Sequence, residues 1–99
     1  MFIAYVFHQT VPIMTNDMLN FKIKTIAANI RHKREQRNYT QEYLAAKLDI
    51  SQNAYSKIEL GYTKITVERL FQIADVLGYD VTELIEGSPI EVLKMAQVG

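Results

Sequence analysis

The chain has 99 residues, with 11 basic and 11 acidic side chains, no net charge, 48% hydrophobic residues and no cysteine. This is one small domain of ordinary globular composition, and the missing thiols exclude disulfides, thiolate metal sites and cysteine nucleophiles, which points to a cytosolic setting. The longest apolar run, "MFIAYVF" at 1–7, falls short of the ~20 residues of a membrane span and lacks the basic start of a signal peptide, so neither membrane insertion nor export is expected.

The charge is unevenly placed. Residues 22–39 carry Lys22, Lys24, Arg31, Lys33, Arg34 and Arg37 against Glu35 alone, whereas residues 65–99 carry Arg69 and Lys94 against Glu68, Asp75, Asp80, Glu83, Glu86 and Glu91. A dipolar domain of this kind offers a basic face to an anion while remaining neutral in sum.

Residues 1–21 read as an extension outside the helical pattern. Within it, "FIAYVFHQTVPI" at 2–13 is uncharged and rich in β-formers and aromatics. A lone strand in a helical protein needs an edge to pair with. Three readings stand: pairing with the same strand of a second subunit across a two-fold axis, packing on its own domain, or upstream sequence before a start at Met14.

From residue 22 the pattern is helical. Ile23, Ile26, Ala27 and Ile30 mark one face of a first helix over about 22–37, with Asn38 suited to a left-handed stop. Thr40 caps a second helix over about 41–48, with Tyr39 placed to close over Leu44. Asp49 and Ile50 form a tight break, Ser51 caps a third helix over about 52–60, and Gly61 ends it. Thr66 caps a fourth, whose apolar stripe is Val67, Leu70, Phe71, Ala74 and Leu77, ended by Gly78; Asp80 and Glu83 have capping-box spacing for a short fifth helix with Val81, Leu84 and Ile85. The unit closes at Gly87, leaving 88–99 as a tail that forms another helical turn or two, or frays.

Catalysis has little to build on. His8 and His32 lack a second ligand at metal spacing and any neighbouring nucleophile, and the four glycines are helix stops or the terminus rather than a phosphate-cradling loop. No enzyme, metal or cofactor is expected.

Two short helices joined by a tight turn remain, "TQEYLAAKLDISQNAYSKIELG". Ala45 supplies the small side chain that a close crossing of these helices requires. With Tyr55 and Ile58 facing inward, Gln52, Asn53, Lys57 and Leu60 face out. Amides of this kind bond adenine in the major groove, and lysine bonds guanine or phosphate. The N-terminal amides of the third helix add a phosphate site.

This stretch resembles the helix-turn-helix of phage-repressor-like proteins, the Xre family, through Thr40-Gln41-Glu42, Leu44-Ala45, Ser51-Gln52, Ile58-Glu59 and Gly61, and through "ITVERLFQIADVLGYDVTELI" after them. The resemblance covers about residues 23–86. It implies an all-α, five-helix lambda-repressor-like domain at 22–87 that binds double-stranded DNA. It further implies base reading by Ser51, Gln52, Asn53 and Lys57, and phosphate contact by Gln41 and by Tyr62, Thr63 and Lys64 in the loop after the third helix. Arg34 and Glu59 stand where similar domains carry a structural ion pair.

Three departures stand out. Asp49 replaces a turn glycine, Leu60 replaces a common Asn, and Tyr55 replaces Val or Ile, its ring expected in the core with the hydroxyl at the domain edge. The resulting expectation is a dimeric transcriptional regulator on an imperfect palindrome. Its rivals are a restriction-modification controller of the same fold, an antitoxin using the leader or the tail against a toxin, and a protein-interaction adaptor that has lost DNA binding.

Overall fold

The computed structural model describes residues 13–86, and the regular structure among them is entirely helical. Five helices follow one another: α1 (Asn16–Gln36), α2 (Gln41–Leu48), α3 (Gln52–Glu59), α4 (Val67–Leu77) and α5 (Val81–Ile85). The strand expected within residues 2–13, save Ile13, which has no regular structure, and Gly87 with the tail expected over 88–99 lie outside the described residues.

Each helix begins on a side chain that accepts an otherwise unpaired amide. The Thr15, Thr40, Ser51 and Thr66 hydroxyls accept from the N–H groups of Met18, Tyr43, Ala54 and Arg69, and Asp80 with Glu83 completes the capping box of α5. The ends of α1 to α4 are as uniform. Asn38, Asp49, Gly61 and Gly78 all adopt positive φ. After each, the next residue's N–H bonds the carbonyl five positions back: Tyr39 to Arg34, Ile50 to Ala45, Tyr62 to Lys57 and Tyr79 to Ala74. This closure satisfies carbonyls that a helix terminus leaves free and reverses the chain within a few residues.

The core joins all five helices through Ile30, Leu44, Ala45, Leu48, Tyr55, Ile58, Ile73, Ala74, Leu77 and Leu84. Ala45 is buried where α2 packs on α3. Asn29, a polar residue in this interior, donates to the Leu84 carbonyl at 2.9 Å and ties α1 to α5.

Two expectations need correction. The first helix starts at Asn16 rather than near 22, so the extension expected over 1–21 does not reach residue 21. Residues 13–22 are all exposed, so no buried face imposed a readable periodicity, and the Thr15 cap with Asp17 in the first turn starts the helix by local means. The inner face of α4 is also rotated from the expected stripe. Ile73, Ala74 and Leu77 are buried, whereas Val67 is 71% and Phe71 56% exposed. Two apolar stripes overlap on this helix, and contact with α1, α2 and α5 selects the one through Ile73.

Candidate nucleic-acid interface

Helix α3 has two opposed faces. Tyr55, Ile58 and Glu59 are buried, while Ser51, Gln52, Asn53, Lys57 and Leu60 are exposed. The Ser51 hydroxyl accepts from Ala54 N–H at 3.0 Å, which leaves its O–H and one lone pair free.

What orients this helix is a carboxylate at its last turn. Glu59 Oε2 accepts from Arg34 Nε at 2.7 Å and from the Tyr55 hydroxyl at 2.5 Å, and Oε1 accepts from Arg34 Nη2 and Gln41 Nε2, each at 3.1 Å. The remaining Arg34 donor, Nη1, bonds the Tyr39 carbonyl at 2.8 Å. Burial by itself raises the Glu59 pKa; the hydrogen bonds from Arg34, Tyr55 and Gln41 outweigh it, and the carboxyl sits below its ordinary value. The same bond raises Arg34. One buried anion thereby connects α1, α2 and α3.

The expectation for Tyr55 is corrected here. Its ring is fully buried, as expected, but the hydroxyl points to Glu59 and not to the domain edge. Burial first, then the bond to Glu59 and its charge, drive the phenol well above the ordinary tyrosine range. Tyr55 and Glu59 lie one helical turn apart on one face, but that spacing alone does not say which polar atom the hydroxyl meets.

The other expected site residues fall into three places. Ser51, Asn53, Lys57, Thr63 and Lys64 line one groove between α3 and the loop that follows it. Tyr62, Thr63 and Lys64 also line a second, more apolar groove on the α1 side, together with Lys24. Gln52 is exposed outside both, and Gln41 is half-buried with one amide hydrogen engaged by Glu59. Tyr62 differs from its counterparts at the other helix ends: Tyr39, Ile50 and Tyr79 pack against the core, whereas Tyr62 is 74% exposed.

The basic end of α1 contributes less to this surface than its charge suggests. Arg34 is neutralised by Glu59, Arg31 lies 3.5 Å from Glu35, and Lys33 and Arg37 both stack on the Tyr79 ring, at 4.6 and 4.4 Å. Arg37 also donates to the carbonyls of Leu77 and Gly78 and closes the end of α4. Sequence reasoning missed Arg69, whose Nη1 donates to the Leu48 carbonyl at 3.2 Å beside the turn. It is the sole cation between residues 65 and 86, a signal that was available.

Two helices crossing over a tight left-handed turn, the second with a buried anchor and a polar outer face, define a helix-turn-helix domain. The helix-turn-helix family model matches residues 30–84, more than half of the chain, and the chain belongs to this family, in its phage-repressor-like form. It is a DNA-binding regulatory family and not an enzyme family. The fold is similar to that of a solved structure described as a hypothetical transcription factor, NHTF, from Neisseria. The TM-score is 0.63 with 26% identity, over 87% of this chain and 97% of that one. No curated protein matches the chain. Among the described residues no helix is long and apolar enough to cross a membrane, and no cluster of His, Cys, Asp or Glu is placed to bind a metal.

Proposed function

We propose that the protein is a sequence-specific transcriptional regulator of the cytoplasm that binds double-stranded DNA by laying α3 in the major groove. The observation that carries this reading is the anchored helix: its inner face is fixed through Tyr55, Ile58 and Glu59 while Gln52, Asn53 and Lys57 stand free toward solvent. In this reading Ser51, Gln52, Asn53 and Lys57 contact base edges, and Gln41, Tyr62, Thr63 and Lys64 contact the backbone. Gln41 has one amide hydrogen left for a phosphate after bonding Glu59.

A dimer on an imperfect palindrome is part of the proposal, with half-sites about 34 Å apart. The apolar surface of Val67 and Phe71 supports a protein contact outside the reading face, and residues 2–13 remain the other candidate for it. In the antitoxin reading the leader or the tail would instead meet a toxin. Co-purification with a small toxic protein is the observation that separates the two.

Selection of bound sequences from a random DNA pool tests base reading. The wild type is expected to enrich a palindrome, and Asn53→Ala to relax one base position per half-site by about 1–3 kcal/mol of discrimination. Enrichment of no sequence at all would overturn the proposal.

A further inference from the structure

The groove between α3 and the following loop has a third wall, the start of α4. Lys57 from α3, Lys64 from the loop and Arg69 from α4 all line it, and no Asp or Glu does. Three positive charges from three elements thus face one concavity in a chain whose net charge is zero. Like charges gathered without a counter-ion repel one another, and an anion seated among them relieves that repulsion.

Arg69 is built for such a ligand. Its Nη1 points inward, donating to the Leu48 carbonyl at 3.2 Å and to Gln72 Oε1 at 3.0 Å. These bonds fix the planar head, and among the described residues its Nε and Nη2 have no protein partner and no carboxylate forms an ion pair with it. A guanidinium held on one edge presents its other edge in the fork that matches two phosphate oxygens, with little side-chain freedom left to lose. Ser51 and Asn53, on the opposite wall, belong to the proposed reading face. An anion in the groove therefore lies alongside the bases that α3 addresses.

We propose that a DNA backbone phosphate is seated against Lys64 and Arg69 in this groove, with Arg69 as its fixed ligand and Lys57 left to the base edges. The proposal rests on the DNA-binding reading above. It gives α4 a direct contact with DNA, and one that the acidic balance of residues 65–99 conceals.

The test is the salt dependence of binding by the full chain to its selected DNA and to a scrambled duplex. Arg69→Gln is expected to make the slope of log K against log salt shallower by about 0.9 per bound protomer, on both duplexes alike. Arg69→Lys, which keeps the charge, is expected to retain the wild-type slope. Thermal unfolding of both variants sets the assay temperature below their transitions, so that loss of the Leu48 bond is not read as loss of the phosphate. A wild-type slope in Arg69→Gln overturns the proposal and leaves the DNA-binding reading standing. A change in Arg69→Gln confined to the selected duplex also overturns it, because a phosphate contact does not discriminate sequence. Salt-independent binding by the wild type overturns both.

Discussion

Glu59 shows how much one side chain fixes. The Glu59 side chain is 2% exposed and that of Arg34 11%, so water screens the pair only weakly. A buried pair is no guarantee of net stability against an apolar substitute, but deleting one partner strands the other's charge. Arg34→Ala is therefore expected to cost about 3–5 kcal/mol, measured by urea unfolding. The pH dependence has two signs. Because the Glu59 carboxyl sits below its unfolded value, it contributes stability above the ordinary carboxylate range near about 4.3, and this is lost as pH falls through the folded value. Tyr55 is raised, so its contribution is complete below about 10 and is lost as pH rises past it. Melting curves between pH 9 and 11 should show this alkaline loss in the wild type and less of it in Tyr55→Phe. The Arg34–Glu59 pairing was legible through a recurring pattern. The direction of the Tyr55 hydroxyl was not, because helical spacing gives a shared face and burial decides which polar atom the phenol meets.

At the scale of elements, what was legible was local. The caps at Thr40, Ser51, Thr66 and Asp80 and the reversals at Asn38, Asp49, Gly61 and Gly78 depend on side chains within a few residues of the amides and carbonyls they serve. The inward phase of α4 depends on what packs against it, and a stripe of apolar residues does not name its partner; the start of α1 rests on the Thr15 cap, with no buried face behind it to make it readable. Asp49 tests the local physics. Its φ of 57° is tolerated by a short polar side chain and is unfavourable for a branched one. Asp49→Val is expected to destabilise the domain by about 1–2 kcal/mol in thermal unfolding, and Asp49→Gly to retain wild-type stability. If valine proved neutral, the turn between α2 and α3 would not be held in the left-handed form.

Among the described residues, two groups of basic side chains stand in different places. Lys33, Arg34 and Arg37 secure the scaffold, whereas Lys57, Lys64 and Arg69 face the groove beside α3. The +5 balance of residues 22–39 is thus a poor guide to where an anion meets the surface. The Glu59 hub also has a consequence for motion. An isolated eight-residue helix is shorter than the roughly 12–15 residues needed for marginal stability in water, yet α3 is tied at its end to both α1 and α2. It has no inexpensive way to open by itself. In native-state hydrogen exchange the amides of Tyr55 and Ile58 should therefore exchange as slowly as those of Ile30 and Ile73, with the first turns of α1 far faster. A helix surface that does not fray in the free protein would have little ordering entropy left to lose on meeting the DNA proposed for it.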